Sequence, residues 1–313
     1  MKRNQKRQNN QIIKRKGLTV FLILIFFLAF LKIIFLVKGS LWNENYRLNL
    51  IVKQADDLVL MTLEPKEPLL TVLKIPPNLY LEVPYGYGNY QAQALSKLEA
   101  MEKKPNLVLK TIQDNFAIYL DGQIEIEGAD LSSKKETEKK ILGLFFGKGK
   151  TNFSSWDILR LWWKIRSLKE NEYKYLDIKK MALTTTQKLP DKSEIYLLDK
   201  ATFDMKIQKI FVDPVVRLEN LTVEILNGTD HPGLAEKAAR ILNNSSLSVV
   251  STGNTDLKAD KSYVETEKKL SQTRTITLVK NILNCFWVEK RTERRADVTL
   301  IIGEDYFQFL TQK

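Results

Sequence analysis

The sequence is poor in the residues that build disulfide frameworks and zinc sites. Its 313 residues include one cysteine, Cys285, and one histidine, His231. A single cysteine excludes any intrachain disulfide, which argues against a disulfide-rich secreted protein. One histidine and one cysteine also argue against a zinc site, because structural zinc is held by four such ligands.

Acidic residues are absent from the start of the chain. Residues 1–17 contain seven basic residues, and residues 1–38 carry nine of the twelve net positive charges. The remainder is therefore nearly neutral, and the total of +12 does not indicate a nucleic-acid-binding protein. Hydrophobic content of 44% and charged content of 27% are typical of globular chains, and the length allows about two domains.

Residues 18–37 form an apolar run in which Lys32 is the one charged residue. A helix of that length spans roughly 30 Å, the hydrocarbon thickness of a bilayer. We favour an uncleaved anchor over a cleaved signal peptide, whose apolar core would be shorter. The basic tail of residues 1–17 then predicts a cytoplasmic N-terminus, with the chain from about residue 39 outside the membrane. A DNA-binding regulator is not favoured, because the cytoplasmic part is too short to fold.

Short apolar strands are predicted directly after the anchor. Residues 48–53, 57–63 and 69–75 have strand composition, and Pro76-Pro77 ends the third. Residues 116–126 are predicted to form a hairpin with Asp121-Gly122 at its turn. These patterns indicate a first α/β region that continues to about residue 213.

A helix is predicted to begin at Ser154 or Ser155, with Asp157 favourable in its first turn. It carries aromatic and aliphatic residues on two adjoining faces, namely Trp156, Leu159, Trp163, Trp162 and Leu168. Such a stripe could be a ligand platform, but core packing is the more common role of tryptophan. We therefore expect these tryptophans to be buried.

The rest of the chain alternates strands and helices. Strands are predicted at 221–226, 247–251 and 297–302, with helices at 233–243 and near 273–284. This alternation is typical of a compact α/β domain of about 90 residues.

Three separated motifs in this last segment closely resemble the C-terminal domain of LytR-type proteins. They are VEILNGTDHPGLAEKAARIL at 223–242, VVSTGN at 249–254 and RADVTLIIGEDY at 295–306. Asn227, Gly228 and Thr229 lie between a strand and a helix start, where free N–H groups could cradle an anion. Turn formation and helix capping explain the same residues, and we favour that interpretation, as we do for His231.

Upstream, residues 55–83 resemble the opening of a LytR-CpsA-Psr domain, with patches of similarity over about 48–210. The resemblance implies a membrane-anchored protein whose domain transfers glycopolymers from a polyprenyl-pyrophosphate carrier to the cell wall, assisted by Mg²⁺. It also implies arginines that clamp the pyrophosphate with bidentate hydrogen bonds. Asp56 or Asp57 matches the early metal-binding aspartate of the family.

The sequence lacks the family's residues at the positions that the resemblance implies for pyrophosphate binding and catalysis. The family's Ile-Pro-Arg-Asp is replaced by residues 75–78, Ile-Pro-Pro-Asn, and Arg47 is the only arginine between residues 39 and 159. A lysine-rich stretch at 129–150 replaces the arginine-rich centre of the family. We therefore expect a degenerate domain without catalytic residues.

The combined prediction is an α/β protein with four parts. They are a basic tail (1–17), a transmembrane helix (18–37), a degenerate LytR-CpsA-Psr-like domain (41–213) and a small LytR-type C-terminal domain (219–313). We expect a single-pass extracytoplasmic envelope protein whose partners are the membrane, through residues 18–37, and wall glycopolymer or envelope proteins, not nucleic acid. No cofactor is expected. The alternative is a divergent phosphotransferase that uses Mg²⁺ at Asp56 or Asp57.

Overall fold

The computed structural model describes residues 26–27, 39–128, 130–189, 192, 194–289 and 295–311. Most of the predicted anchor, residues 18–37, lies outside this part of the chain, so its helix stays a prediction. Within the part that is described, no helix has the length and apolar character needed to cross a bilayer.

Strands and helices alternate through the described chain. The strands are β1 (Leu48–Gln54), β2 (Asp57–Glu64), β3 (Leu69–Ile75), β4 (Leu79–Val83), β5 (Gly88–Gln91), β6 (Gly122–Glu125), β7 (Lys150–Thr151), β8 (Tyr173–Asp177), β9 (Thr184–Lys188), β10 (Glu194–Leu198), β11 (Thr222–Asn227), β12 (Ser248–Asn254), β13 (Tyr263–Thr266), β14 (Phe286–Glu289) and β15 (Val298–Ile302). The α-helices are α1 (Leu95–Glu102), α2 (Leu107–Phe116), α3 (Lys134–Phe145), α4 (Ser155–Ser167), α5 (Lys200–Phe211), α6 (Pro214–Glu219), α7 (Leu234–Asn244), α8 (Arg274–Leu283) and α9 (Glu304–Thr311).

A six-stranded sheet in the order β7-β6-β1-β2-β3-β8 forms the centre of the first region. Its middle strands β1, β2 and β3 are antiparallel neighbours and are almost wholly buried, which explains their nearly continuous apolar sequences. The three strands predicted here are confirmed, and Pro76 ends the third as expected because proline lacks the N–H that a ladder needs.

Helices and a second sheet cover the two faces of the central sheet. Alternate side chains of β1 to β3 point to opposite faces, so Ile51 and Leu60 lie on one side and Leu50 and Met61 on the other. The first side packs against α1, α2 and the sheet β5-β4-β10-β9. The second packs against α3 and α4.

The hairpin predicted at residues 116–126 is wrong. Helix α2 continues to Phe116, and β6 is a single strand that pairs in parallel with β1, with Gly122 opposite Leu50. Gly122 is required by packing, because a Cβ there would lie 2.5 Å from Asn152 Oδ1 and 2.7 Å from the Phe153 ring. A glycine selected by close approach was thus mistaken for a turn glycine.

The C-terminal region is an α/β unit around a sheet in the order β12-β11-β15-β13-β14. Strands β12, β11 and β15 are parallel, and the apolar faces of α7 and α8 pack against the sheet. The predicted alternation is confirmed. The four-residue strands β13 and β14 were missed, because segments so short carry little periodic signal.

Charged side chains join the two regions. The Arg240 guanidinium of α7 makes two hydrogen bonds to Asp204 of α5, with Nε–Oδ2 at 2.7 Å and Nη2–Oδ1 at 2.9 Å. Arg240 Nη1 also donates to the Asn115 carbonyl at 3.1 Å. Arg274 of α8 pairs with Asp213 in the connecting segment at 3.0 Å. These bidentate and partly buried contacts fix the C-terminal unit against the first region.

Candidate functional site

Polar residues gather at one edge of the central sheet. Strands β1 and β6 are parallel, as are β3 and β8, and β2 lies antiparallel between β1 and β3. The carboxyl ends of β1, β3, β6 and β8 therefore meet at one edge, where α/β proteins commonly bind ligands. The side chains there include Lys53, Lys74, Glu125 and Asp177, and the amino end of β2 adds Asp57.

A buried ion pair lies at the end of β1. Lys53 is buried, and its Nζ contacts Glu99 Oε2 of α1 and Glu125 Oε2 of β6, the latter at 3.3 Å. Glu99 also accepts the Val108 N–H at 3.3 Å. Removal of Lys53 would leave the buried Glu99 carboxylate without its cation, so this pair ties α1 to the sheet.

The two aspartates that sequence analysis proposed as metal ligands lie at the turn between β1 and β2. Asp56 is exposed at the turn, after Ala55 with φ 38°. Asp57 is the first residue of β2, and its Oδ2 lies 3.6 Å from Lys74 Nζ. Hydrogen bonds from the Ser132 N–H and side chain lower the pKa of the nearby Asp130, and the Lys74 charge contributes less.

The surroundings of Asp57 do not fit the magnesium site that the resemblance implies. Mg²⁺ takes oxygen ligands, whereas the nearest charged partner of Asp57 is the ammonium of Lys74. Within the described residues, no group of three or more His, Cys, Asp or Glu side chains is arranged to hold a metal ion. The geometry favours a strand-flanking role for both aspartates, and metal binding there stays a prediction.

A basic pocket of about 700 Å³ adjoins the same edge. It lies between the end of β6, the last turns of α3 and the loop before β7. We name it the lysine pocket, and its lining residues are Glu125, Ile126, Glu127, Lys139, Lys140, Gly143, Gly147, Lys148, Gly149 and Lys150. Gly149, at φ 142°, allows the loop to approach the sheet, because a Cβ there would lie 2.4 Å from the Glu125 carbonyl oxygen.

The lysines of this pocket are held only by long or solvent-exposed contacts, with Lys139 Nζ 3.9 Å from Glu136 and Lys150 Nζ 3.8 Å from Glu125. Lys139, Lys148 and Lys150 are exposed, while Lys140 donates to the Glu127 carbonyl at 2.8 Å. Their ammonium groups are point charges that suit phosphate or carboxylate oxygens without fixing a planar geometry. The pocket was not predicted as a site, although the glycine and lysine alternation at 147–150 was a visible signal.

Arg47, the only arginine between residues 39 and 159, has a structural role. Its guanidinium pairs with Glu64 at 3.0 Å and donates to the backbone carbonyls of Ile210 and Val212. Burial lowers the pKa of Arg47, and the nearby Glu64 carboxylate opposes that effect. Arg47 therefore fixes the end of α5 to the central sheet.

Asn227, Gly228 and Thr229 form a closed turn after β11. Asn227 Oδ1 accepts both the N–H and the hydroxyl of Thr229, at 3.1 and 2.9 Å. The Gly228 N–H donates to the Ile302 carbonyl at 2.9 Å. A Cβ on Gly228 would lie 2.9 Å from the Leu257 carbonyl oxygen, which explains the glycine. Because these donors are used within the fold, the geometry supports the turn interpretation, and an anion site stays a prediction.

The expectation that the tryptophans of α4 are buried is wrong for Trp156 and Trp163, whereas Trp162 is half-buried against the core and Leu168 lies within it. Trp156 is 37% exposed and Trp163 is 63% exposed. The residues of α4 that face the sheet are Ile158, Leu161 and Ile165. The helix thus has two apolar faces, and sequence periodicity alone did not show which one is buried.

Comparison with known proteins decides the nature of the C-terminal unit. Residues 220–306 match the family model of the LytR cell envelope-related transcriptional attenuator. This segment is a LytR-type C-terminal domain. A sequence search of curated proteins finds no match.

Several solved structures resemble the fold. Bacillus subtilis TagT is 15% identical with a TM-score of 0.40, and the match covers 54% of this chain and 91% of TagT. The LytR-CPS2A-psr family protein YwtF (TagT), solved with bound octaprenyl pyrophosphate lipid, gives the same identity, coverage and TM-score. Bacillus subtilis TagV is 12% identical with a TM-score of 0.40, covering 54% of this chain and 96% of TagV.

In the LytR-type domain, the side chain of His231 joins the turn after β11 to helix α9. Its ring stacks on Phe307 with centroids 3.4 Å apart, and its Nε2 lies 3.3 Å from Glu304 Oε2. The neighbouring Asn227 Nδ2 donates to the His231 carbonyl at 2.8 Å. These contacts agree with the loop role expected for His231 rather than a catalytic one.

Proposed function

We propose that the chain is a membrane-anchored, extracytoplasmic protein of the cell envelope that binds anionic wall glycopolymers or envelope partners and does no chemistry itself. The LytR-type domain supports the envelope assignment. The basic tail and apolar run of residues 1–37 support the anchor and its orientation.

The lysine pocket is the single observation that carries the binding role. It places four lysines at the carboxyl edge of the sheet, where a phosphodiester polymer can be held by charge. The same observation disfavours transfer chemistry. Loss of a bidentate arginine clamp on the reacting phosphate would slow transfer by on the order of 10²–10³-fold.

A second function is kept because Asp57 and the lysine pocket lie at the same sheet edge. A divergent phosphotransferase could use Asp56 or Asp57 for Mg²⁺ and lysines for the phosphates of a polyprenyl-pyrophosphate carrier. This alternative fails if Asp56→Ala combined with Asp57→Ala leaves any observed transfer unchanged.

Binding of poly(glycerol phosphate) to the full chain in lipid nanodiscs tests the proposal. The variant carries glutamine at Lys139, Lys140, Lys148 and Lys150. Four lysine charges at ~0.5 kcal/mol each predict a loss of about 2 kcal/mol in binding free energy, or roughly 30-fold in Kd. The decrease should be smaller at high salt, because exposed charges are screened.

A matched control removes the same charge from the LytR-type domain, with glutamine at the exposed Lys261, Lys268, Lys269 and Lys280. The control should bind within about twofold of the parent. Equal losses in both variants would show unspecific charge attraction and contradict the lysine pocket as the site. Transfer of polymer by the parent protein, detected by mass spectrometry with lipid-linked donor and Mg²⁺, would contradict the non-catalytic role.

A further inference from the structure

Helix α4 presents an aromatic surface that the fold covers only in part, since Trp162 packs against the core while Trp156 and Trp163 are exposed. Trp156, Leu159, Trp162 and Trp163 line an open groove of about 380 Å³, with Glu44 and Arg160 at its border. We name these four residues the tryptophan face. Exposed apolar surface of this kind, with charged residues beside it, marks contact with a partner or a membrane.

The chain enters the fold on this same helix. The buried carboxylate of Asp157 accepts hydrogen bonds from the Ser40 hydroxyl, from the Leu41 N–H at 3.1 Å and from the Trp42 N–H at 3.4 Å. Trp42 is 3% exposed, and its carbonyl accepts a hydrogen bond from Arg160. Residues 40–42 are therefore fixed at the start of α4.

Ion pairs reinforce this attachment. Glu44 Oε1 lies 3.4 Å from Arg160 Nε, and Glu44 Oε2 lies 3.1 Å from Lys164 Nζ. The entering segment thus contacts the first two turns and the middle of α4, beside the tryptophan face. Leu41 points outward from it and is 53% exposed.

The short distance to the predicted anchor restricts what can cover the tryptophan face. The apolar run ends at Val37, three residue steps before Ser40. Three extended steps span at most roughly 11 Å, so Ser40, which is hydrogen-bonded to Asp157 in the first turn of α4, lies within that distance of the outer end of the apolar run. A bilayer that holds the run would then bring its headgroup layer to the tryptophan face.

A second pair of exposed aromatic residues lies at the same end of the helix pair. Helices α3 and α4 are antiparallel, because Lys134 at the start of α3 donates to the Leu168 carbonyl just after α4, and Glu138 one turn later pairs with Arg166 at 3.2 Å. The end of α3 therefore lies near the start of α4. It carries Phe145 and Phe146, which are both exposed.

Tryptophan with neighbouring cations suits a phospholipid headgroup layer. Indole rings favour the membrane–water interface because they are apolar with one polar N–H. Arg160 lies over the Trp156 ring at 5.1 Å, and Arg166 lies over Trp162 at 5.5 Å. The Arg166 side chain is 60% exposed and can meet a lipid phosphate, whereas the Arg160 guanidinium is already held by Glu44 and the Trp42 carbonyl.

From these observations we propose that the tryptophan face lies in the outer headgroup layer of the bilayer and holds the extracytoplasmic part of the chain against the membrane. The inference rests on the membrane anchor of the proposed function. It adds that the folded part is docked to the lipid rather than free on a tether.

Quenching of tryptophan fluorescence by lipid tests this docking. The full chain is reconstituted in vesicles of phosphatidylcholine and phosphatidylglycerol, with or without bromine near the headgroup end of the acyl chains. We expect brominated lipid to quench the parent protein. The triple variant Trp156→Phe, Trp162→Phe and Trp163→Phe should lose most of that quenching, because the two remaining tryptophans, the buried Trp42 and the remote Trp287, are out of reach.

A matched pair of surface changes controls for lost hydrophobicity. Trp156→Ser with Trp163→Ser should leave the folded part loosely tethered, so that a protease cleaves near residue 39 faster than in the parent. Phe286→Ser with Leu257→Ser removes exposed apolar groups from the LytR-type domain and should leave both cleavage and quenching unchanged.

Three outcomes would overturn the proposal. If the protein stays in the membrane after alkaline extraction but brominated lipid does not quench its tryptophans, docking is refuted and the anchor stands. Release by alkaline extraction would refute the anchor and the docking together. Disulfide-linked dimers of Trp163→Cys, with no quenching of the parent, would assign the tryptophan face to a second copy of the chain.

Discussion

Asp121 provides a pH-dependent test of how the two regions are joined. Its carboxylate is buried where β6 meets the LytR-type domain and accepts the Asn49 N–H at 2.8 Å. Arg274 Nη2 lies 4.0 Å from Asp121 Oδ1, but Arg274 is engaged more closely by Asp213 at 3.0 Å. Burial raises the pKa of Asp121 from 3.8 to about 7, and the Asn49 N–H and Arg274 only partly oppose it.

The sign of the effect follows from proton linkage. Between about pH 4 and pH 7 the folded state keeps the Asp121 proton while the unfolded state releases it. Ionisation therefore favours unfolding, and the contribution of this group to the free energy of unfolding falls as the pH rises. Above about pH 7 both states are ionised and the effect is constant.

The magnitude is obtained by comparing two pH values. With a pKa of about 7 in the folded state and 3.8 in the unfolded state, the contribution falls by on the order of 2–3 kcal/mol from pH 5 to pH 8. Asp121→Asn removes the titration and keeps an acceptor for the Asn49 N–H. The free energy of unfolding of the variant, measured relative to the parent, should therefore rise by that amount from pH 5 to pH 8.

Urea denaturation of the full chain in detergent, followed by tryptophan fluorescence, measures the difference at each pH. The exposed Asp256→Asn is the matched charge control and should show no such gain. If the difference between Asp121→Asn and the parent is the same at pH 5 and pH 8, the assignment of a raised pKa to this carboxyl is wrong.

Three further predictions concern single contacts. Asp157→Ala removes the capping box and the acceptor for residues 40–42. The free energy of unfolding, measured by thermal denaturation, should therefore fall by about 2–4 kcal/mol. An unchanged Tm would contradict that role. A double-mutant cycle with Arg240→Ala and Asp204→Ala should give a coupling of about 1–2 kcal/mol, and strict additivity would show that the pair contributes nothing. Gly303→Ala should lower the free energy of unfolding by about 1–3 kcal/mol, because the new Cβ would lie 2.5 Å from the Lys261 backbone. Gly253→Ala is the control and should be nearly neutral in the same denaturation assay, since its Cβ would lie 3.6 Å from the nearest atom, Leu226 Cδ2.

The sequence predicted most of the elements whose pattern is local. The strands at 48–53, 57–63 and 69–75 were found because they are buried on both faces and read as apolar runs. Helix α4 was found because Ser154 and Asp157 form a capping box, which satisfies both backbone donors at the helix start.

Two of the failures share a cause, which is that the deciding partner is distant in the sequence. Gly122 was misassigned because its packing partners are Asn152 and Phe153, thirty residues away. The lysine pocket was missed for the same reason. Glu125 and Lys150 come together only when β7 pairs with β6, and no short motif shows that pairing.

The tryptophan face and the lysine pocket lie at the same end of the α3–α4 helix pair. Phe145 and Phe146 end α3, and the pocket residues Gly147 and Lys148 follow directly in the chain. If the tryptophan face lies at the headgroup layer, the lysine pocket lies close to it, because the loop that joins them is only a few residues long. An anionic ligand with a lipid tail would then meet the pocket without leaving the membrane, whereas a free polymer would have to approach the crowded bilayer surface. Docking would therefore favour membrane-bound over soluble ligands even though the lysines themselves cannot distinguish the two.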